Sequence, residues 1–124
     1  MIYHWQGILL MSIFTTLLAA CAGERPKQLG ISNGRLTDCP ASPNCVSSQA
    51  GDVAHHIAPL VFKGEPEPAF DRLKQILVHR ADTSIIEVRP DYLRVEFHTT
   101  LFVDDGEFLL DVKQRLIHLR SASR

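Results

Sequence analysis

Two arginines and two serines fall within five residues near the C-terminus, at Arg120, Ser121, Ser123 and Arg124. Guanidinium groups fork onto phosphate or carboxylate oxygens through charge-assisted hydrogen bonds, so this composition suits a small-anion site. On an extended strand Arg120 and Arg124 share one face and Ser121 and Ser123 the other. An edge of paired surface charges has the same composition. Cys39 and Cys45 close a seven-residue loop, where the chain-entropy model assigns a disulfide roughly 2.4 kcal/mol. A zinc set would recruit His55 and His56, but the five residues between the cysteines exceed the usual zinc-knuckle spacing. The same gap departs from the two-residue spacing of thioredoxin-like redox pairs.

His55-His56 could titrate near neutral pH, yet neighbours on a strand point to opposite faces and would not act together. Asp104-Asp105-Gly106 offers oxygen ligands for a hard cation, but it lacks the spaced acidic series of a calcium loop and is read as a turn. Ser47 and Ser48 have no Gly-x-Ser-x-Gly elbow around them and are read as loop hydrogen bonders. No nucleophile, general base and orienting group assemble from these spacings. The leading expectation is therefore a binding or scaffolding domain without catalysis, with no metal and no cofactor. The rival is a small-anion binder or hydrolytic enzyme that uses Arg120 and Arg124 with His98 or His55.

The elements that must position these residues follow from periodicity. Phe70, Leu73 and Leu77 recur at helical spacing after Pro66 and Pro68, predicting one amphipathic helix over about 67–80. Strands are predicted at 84–88, 92–99, 107–112 and 116–120, separated by Arg89-Pro90-Asp91, Asp104-Asp105-Gly106 and Lys113-Gln114-Arg115. Leu93, Val95 and Phe97 alternate with Arg94, Glu96 and His98, giving one apolar and one wet face; Phe108, Leu110 and Val112 repeat the pattern. Residues 53–62, broken by Pro59, suit an edge strand. The expected fold is α+β: an antiparallel meander of four or more strands with the helix on its apolar side.

The apolar run from Ile8 to Ala20 is shorter than the roughly 20 residues that span a bilayer and reads as a signal-peptide core, although Met1 to Gly7 holds no Lys or Arg. Leu17-Leu18-Ala19-Ala20-Cys21 closes it and resembles the lipobox of bacterial lipoproteins, in which the cysteine carries the lipid. This implies a signal peptide at 1–20, a lipidated Cys21 with a flexible linker to residue 36, and one small domain at 37–124. Acyl anchoring through more than one chain is firm, and Ala22, in place of Asp, points to the outer membrane facing the periplasm. In that oxidising compartment Cys39 and Cys45 remain to pair. With 13 Lys and Arg against 14 Asp and Glu and no basic block, the chain carries no nucleic-acid footprint. Its expected partners are the membrane, through Cys21, and an envelope protein or small molecule.

The string Cys39-Pro40-Ala41-Ser42-Pro43-Asn44-Cys45-Val46-Ser47-Ser48, with Asp104-Asp105-Gly106-Glu107-Phe108 and Arg120-Ser121-Ala122-Ser123-Arg124, resembles the bacterial family called domain of unknown function 1499. The resemblance covers about residues 36–124. It implies a secreted or lipid-anchored envelope protein, for a family whose activity is not established. It also implies a further stretch rich in Gly, Asp, Asn and Arg and a final helix after Arg124, so a shortened domain of reduced stability, at the extreme a fragment without function, is a third expectation.

Overall fold

The computed structural model describes residues 25, 26 and 28–124. The signal segment 1–20 and Cys21 lie outside the described residues. Four long strands, β5 (Thr83–Val88), β6 (Tyr92–His98), β7 (Val103–Asp111) and β8 (Leu116–Ser123), form an antiparallel meander. The free edge of β8 is shared by two short strands: β3 (Cys45–Ser47) pairs with Arg120–Ala122, and β4 (Leu60–Val61) pairs with Leu116 and Ile117. A separate hairpin, β1 (Ile31–Ser32) with β2 (Arg35–Leu36), precedes this six-stranded sheet. The fold is broadly α+β, weighted toward β. Of the edge strand expected over 53–62, only Leu60–Val61 forms, immediately after Pro59.

Helix α1 (Pro66–Val78) starts where two prolines can sit, since the first turn needs no N–H from them. It ends earlier than its periodicity suggested. His79 terminates it by donating its backbone N–H and its ring Nδ1 to the Gln75 carbonyl, at 3.2 and 2.7 Å. Arg80 lies beyond the end, where it pairs with Asp82 and stacks on Phe97. Phe70 and Leu77 of α1 pack on Leu93, Val95, Phe108, Leu110 and Ile117 to form the main core. Burial of each such side chain contributes about 1.5–3 kcal/mol.

Strand β7 corrects one sequence expectation. Asp104-Asp105-Gly106 is strand, not turn, and the reversal lies at 99–102, where the Thr99 N–H donates to the Phe102 carbonyl at 2.9 Å. Glycine is required in β7 by close approach. A Cβ at Gly106 would stand 2.6 Å from Phe97 Cε2 and 3.0 Å from Val95 Cγ2. The turn-like composition therefore reports a packing constraint inside a strand.

Candidate functional site

Alternation along the meander sends Arg94 and Glu96 of β6, Asp105 and Glu107 of β7, and Arg120 of β8 to the face opposite α1. Register sets Arg94, Glu107 and Arg120 side by side across three strands, and Glu96 beside Asp105. The result is a ladder of alternating charge. The wet face expected from the alternation is closed: Glu107 is fully buried, and Asp105, Glu96 and Arg120 are buried with it. Arg124 donates to Asp105 at 2.9 Å and pairs with Glu96 at 3.2 Å. Glu107 accepts from the Tyr92 hydroxyl at 2.5 Å and faces Arg120 at 3.6 Å, too far for a hydrogen bond. Burial, reinforced by the Glu107 contact, pushes the Tyr92 phenol well above its ordinary range and keeps it a donor.

What closes this face is the segment expected to be a flexible linker. Arg25 donates to Glu96 through Nε at 2.8 Å and also through Nη2. The Gly30 N–H donates to Glu107 at 2.7 Å. Leu36 is buried against Tyr92 and Leu109, with Ile31 beside it, and its N–H is held by Gln49 at 2.9 Å. Residues 25, 26 and 28–36 are thus a strap across the sheet. Among the described residues, Arg94 Nε, Glu107 Oε1, and Arg120 Nε and Nη1 are buried without a hydrogen-bond partner.

At the end of β8 nearest the β7–β8 turn, a second polar chain crosses from β3 to β7. Ser48 Oγ accepts from the Leu119 N–H at 2.9 Å and lies 3.1 Å from His118 Nδ1. The Asp111 carboxylate lies 3.5 Å from His118 Nε2. A hydroxyl that donates to Nδ1 leaves the imidazole proton on Nε2, facing Asp111. His118 and Asp111 line a cavity of about 270 Å³ together with Ile31, Asp91 and Lys113. Ser48 is only 8 % exposed and does not line it.

A family model described as a protein of unknown function, DUF1499, matches residues 35–124. The chain belongs to this family. No curated protein and no solved structure matches it. Most of the strap, including Arg25 and Gly30, lies upstream of the matched DUF1499 segment, whereas every carboxylate it contacts lies within.

Within the DUF1499 segment, Cys39 and Cys45 are joined as a disulfide with Cα atoms 5.7 Å apart. Arg120 and Arg124 share the strap side of β8, each beside a carboxylate, and Ser123 on the other side donates to Asp104. The four residues of the expected anion site are therefore split between two faces. His55 binds Asp52 and the Ser42 carbonyl, His56 lies 3.1 Å from the Ala50 carbonyl, and His98 meets Ser84. Neither His55 nor His98 joins the arginines. Among the described residues, no three His, Cys, Asp or Glu side chains converge as a metal-binding group. Sequence reading missed Glu96, Asp105, Glu107 and the Ser48–His118–Asp111 chain. The paired alternations Arg94-x-Glu96 and Asp105-x-Glu107 were the available signal for the first three.

Proposed function

We propose that this protein is a lipid-anchored envelope protein, held at the outer membrane through Cys21 and facing the periplasm, whose sheet domain binds or scaffolds a partner without catalysis. The observation that carries the non-catalytic reading is the sealing of Ser48. Among the described residues it is the one hydroxyl bonded to an imidazole that also faces a carboxylate, and it is buried and absent from the lining of the cavity that His118 and Asp111 share. A nucleophile must approach its substrate to about hydrogen-bond distance, and Ser48 is buried outside the cavity lining. The lipobox at Leu17–Cys21 supports the anchor.

Replacement of Cys21 by Ser is expected to move the protein from the membrane to the soluble periplasmic fraction; retention on the membrane would overturn the anchor. A fluorophosphonate probe is expected to leave the protein unlabelled. Labelling that disappears in Ser48→Ala would establish a reactive serine and overturn the non-catalytic reading. One observation favours a second reading, small-anion capture at Arg120: its buried Nε and Nη1 groups have no acceptor among the described residues. Calorimetric titration with inorganic phosphate, compared between the native chain and Arg120→Met, tests it.

A further inference from the structure

The strap has a direction. Arg25 sits at Glu96, and Gly30 at Glu107, which is paired with Arg94. From Arg25 to Gly30, strap numbers rise as β6 numbers fall, so this stretch runs antiparallel to β6 before the β1–β2 hairpin reverses the chain. Followed back from Gly30 to Arg25, the strap heads toward the end of the sheet where β6 turns into β7. Cys21 is four residues upstream, a reach of at most roughly 14 Å. Glu96 is two residues from the end of β6, about 7 Å along the strand. Cys21 therefore lies within chain reach of the β6–β7 tip.

That tip is Thr99-Thr100-Leu101-Phe102, four residues without a charge. Leu101 is 75 % exposed and Phe102 56 % exposed. The tip is a formed turn: Thr99 Oγ1 accepts from the Phe102 N–H at 3.0 Å, and the two residues also exchange the backbone bond described above. Among the described residues, these adjacent apolar side chains on the reversal stay largely exposed. At the opposite end of the sheet the β7–β8 turn carries Lys113 and Arg115 beside Val112, charges that are costly to place in an acyl layer.

We propose that the Leu101–Phe102 tip inserts into the lipid surface beside the Cys21 anchor, so that the domain stands on the membrane by two contacts in a fixed orientation. This rests on the lipid-anchor reading above. A lipid surface is the occupant that the geometry favours because the strap leaves the acylated residue within chain reach of the same end, and because the tip is apolar, uncharged and small. Two-point attachment sets the cavity lined by His118 and Asp111 at the end facing away from the bilayer, toward a soluble partner.

The test uses the full chain matured in a bacterial envelope, purified from membranes and reconstituted into phosphatidylcholine vesicles with or without bromine on the acyl chains. Removal of the signal segment 1–20 takes with it the one native tryptophan, Trp5, so each introduced tryptophan reports alone. Phe102→Trp is expected to lose emission in the brominated vesicles, as is Leu101→Trp at the neighbouring position. Val112→Trp, equally exposed at 59 % but at the far end, is expected to keep its emission. No quenching at 101 and 102, or equal quenching at 112, would overturn the tip contact. Cys21→Ser, followed by membrane fractionation, separates the two readings: release without tip quenching in the anchored chain sinks the tip alone, whereas retention together with tip quenching sinks the anchor and supports the tip as the contact that holds the protein.

Discussion

Glu107 is the most consequential single side chain outside the apolar core, and its roles can be separated by substitution. It is fully buried, accepts from Tyr92 and Gly30, and is the only carboxylate paired with Arg120 among the described residues. Glu107→Gln retains an amide oxygen for the two donors and removes only the charge, leaving the Arg120 guanidinium buried beside no anion. Breaking a buried pair in this way costs about 3–5 kcal/mol. With a urea m-value of about 1–3 kcal/mol/M, the unfolding midpoint falls by at least about 1 M. Arg120→Met alone costs less, because Glu107 keeps its two donors. The double variant Glu107→Gln with Arg120→Met removes both charges and keeps the oxygen, so it recovers most of the loss. Urea unfolding of the four proteins, followed by circular dichroism, gives the coupling, expected to exceed about 1 kcal/mol. Additive losses, or a Glu107→Gln cost below about 1 kcal/mol, would refute the claim that the ladder holds its charges by mutual pairing.

Two further outcomes follow from other sites. Gly106→Ala is expected to destabilise by about 1–3 kcal/mol through overpacking, since its Cβ would meet the Phe97 ring at 2.6 Å; Phe97→Leu in the same chain should recover part of the loss, and a thermal melt unchanged by Gly106→Ala would refute the contact. The Asp52 hydrogen bond, aided by the Ser42 carbonyl, raises the His55 pKa above its ordinary 6.5, while the same His55 bond lowers Asp52 below 3.8. The His55 share of this link is complete below pH 6.5 and lost as pH rises through its raised value; the Asp52 share is complete above 3.8 and lost as pH falls through its lowered value. An NMR titration of His55 should show a midpoint above 6.5 that drops in Asp52→Asn, and an unchanged midpoint would refute the pairing.

The helix and the meander were legible because their signals are local. Phe70, Leu73 and Leu77 mark one stripe of α1, and Leu93, Val95 and Phe97 mark one face of β6, whatever else the chain does. The errors arose where a remote contact decided the outcome. Asp104-Asp105-Gly106 has the composition of a turn, but Phe97 on the neighbouring strand demands the glycine, and Ser123 and Arg124 engage the two aspartates. Arg94, Glu96 and Glu107 alternate as a solvent face should, and only the strap, 71 residues from Glu96 in sequence at Arg25, turns that face into an interior. Alternation identifies which side chains share a face. It carries no information on what lies over them.

The ladder therefore needs an explanation other than stability, since a buried ion pair is often no more stabilising than apolar residues of the same volume. Register supplies one. A slip of one residue between β6 and β7, or between β7 and β8, would turn Glu107 into the layer now filled by Phe108 and Leu110 and leave Arg94 and Arg120 without it. An apolar second face would tolerate that slip; a row of alternating charges opposes it at both neighbours of β7. The same carboxylates then receive the strap, because Glu96 and Glu107 are presented at fixed positions to Arg25 and Gly30. The charges that hold three strands in register also set where the segment from Arg25 to Gly30 lies and which way it runs.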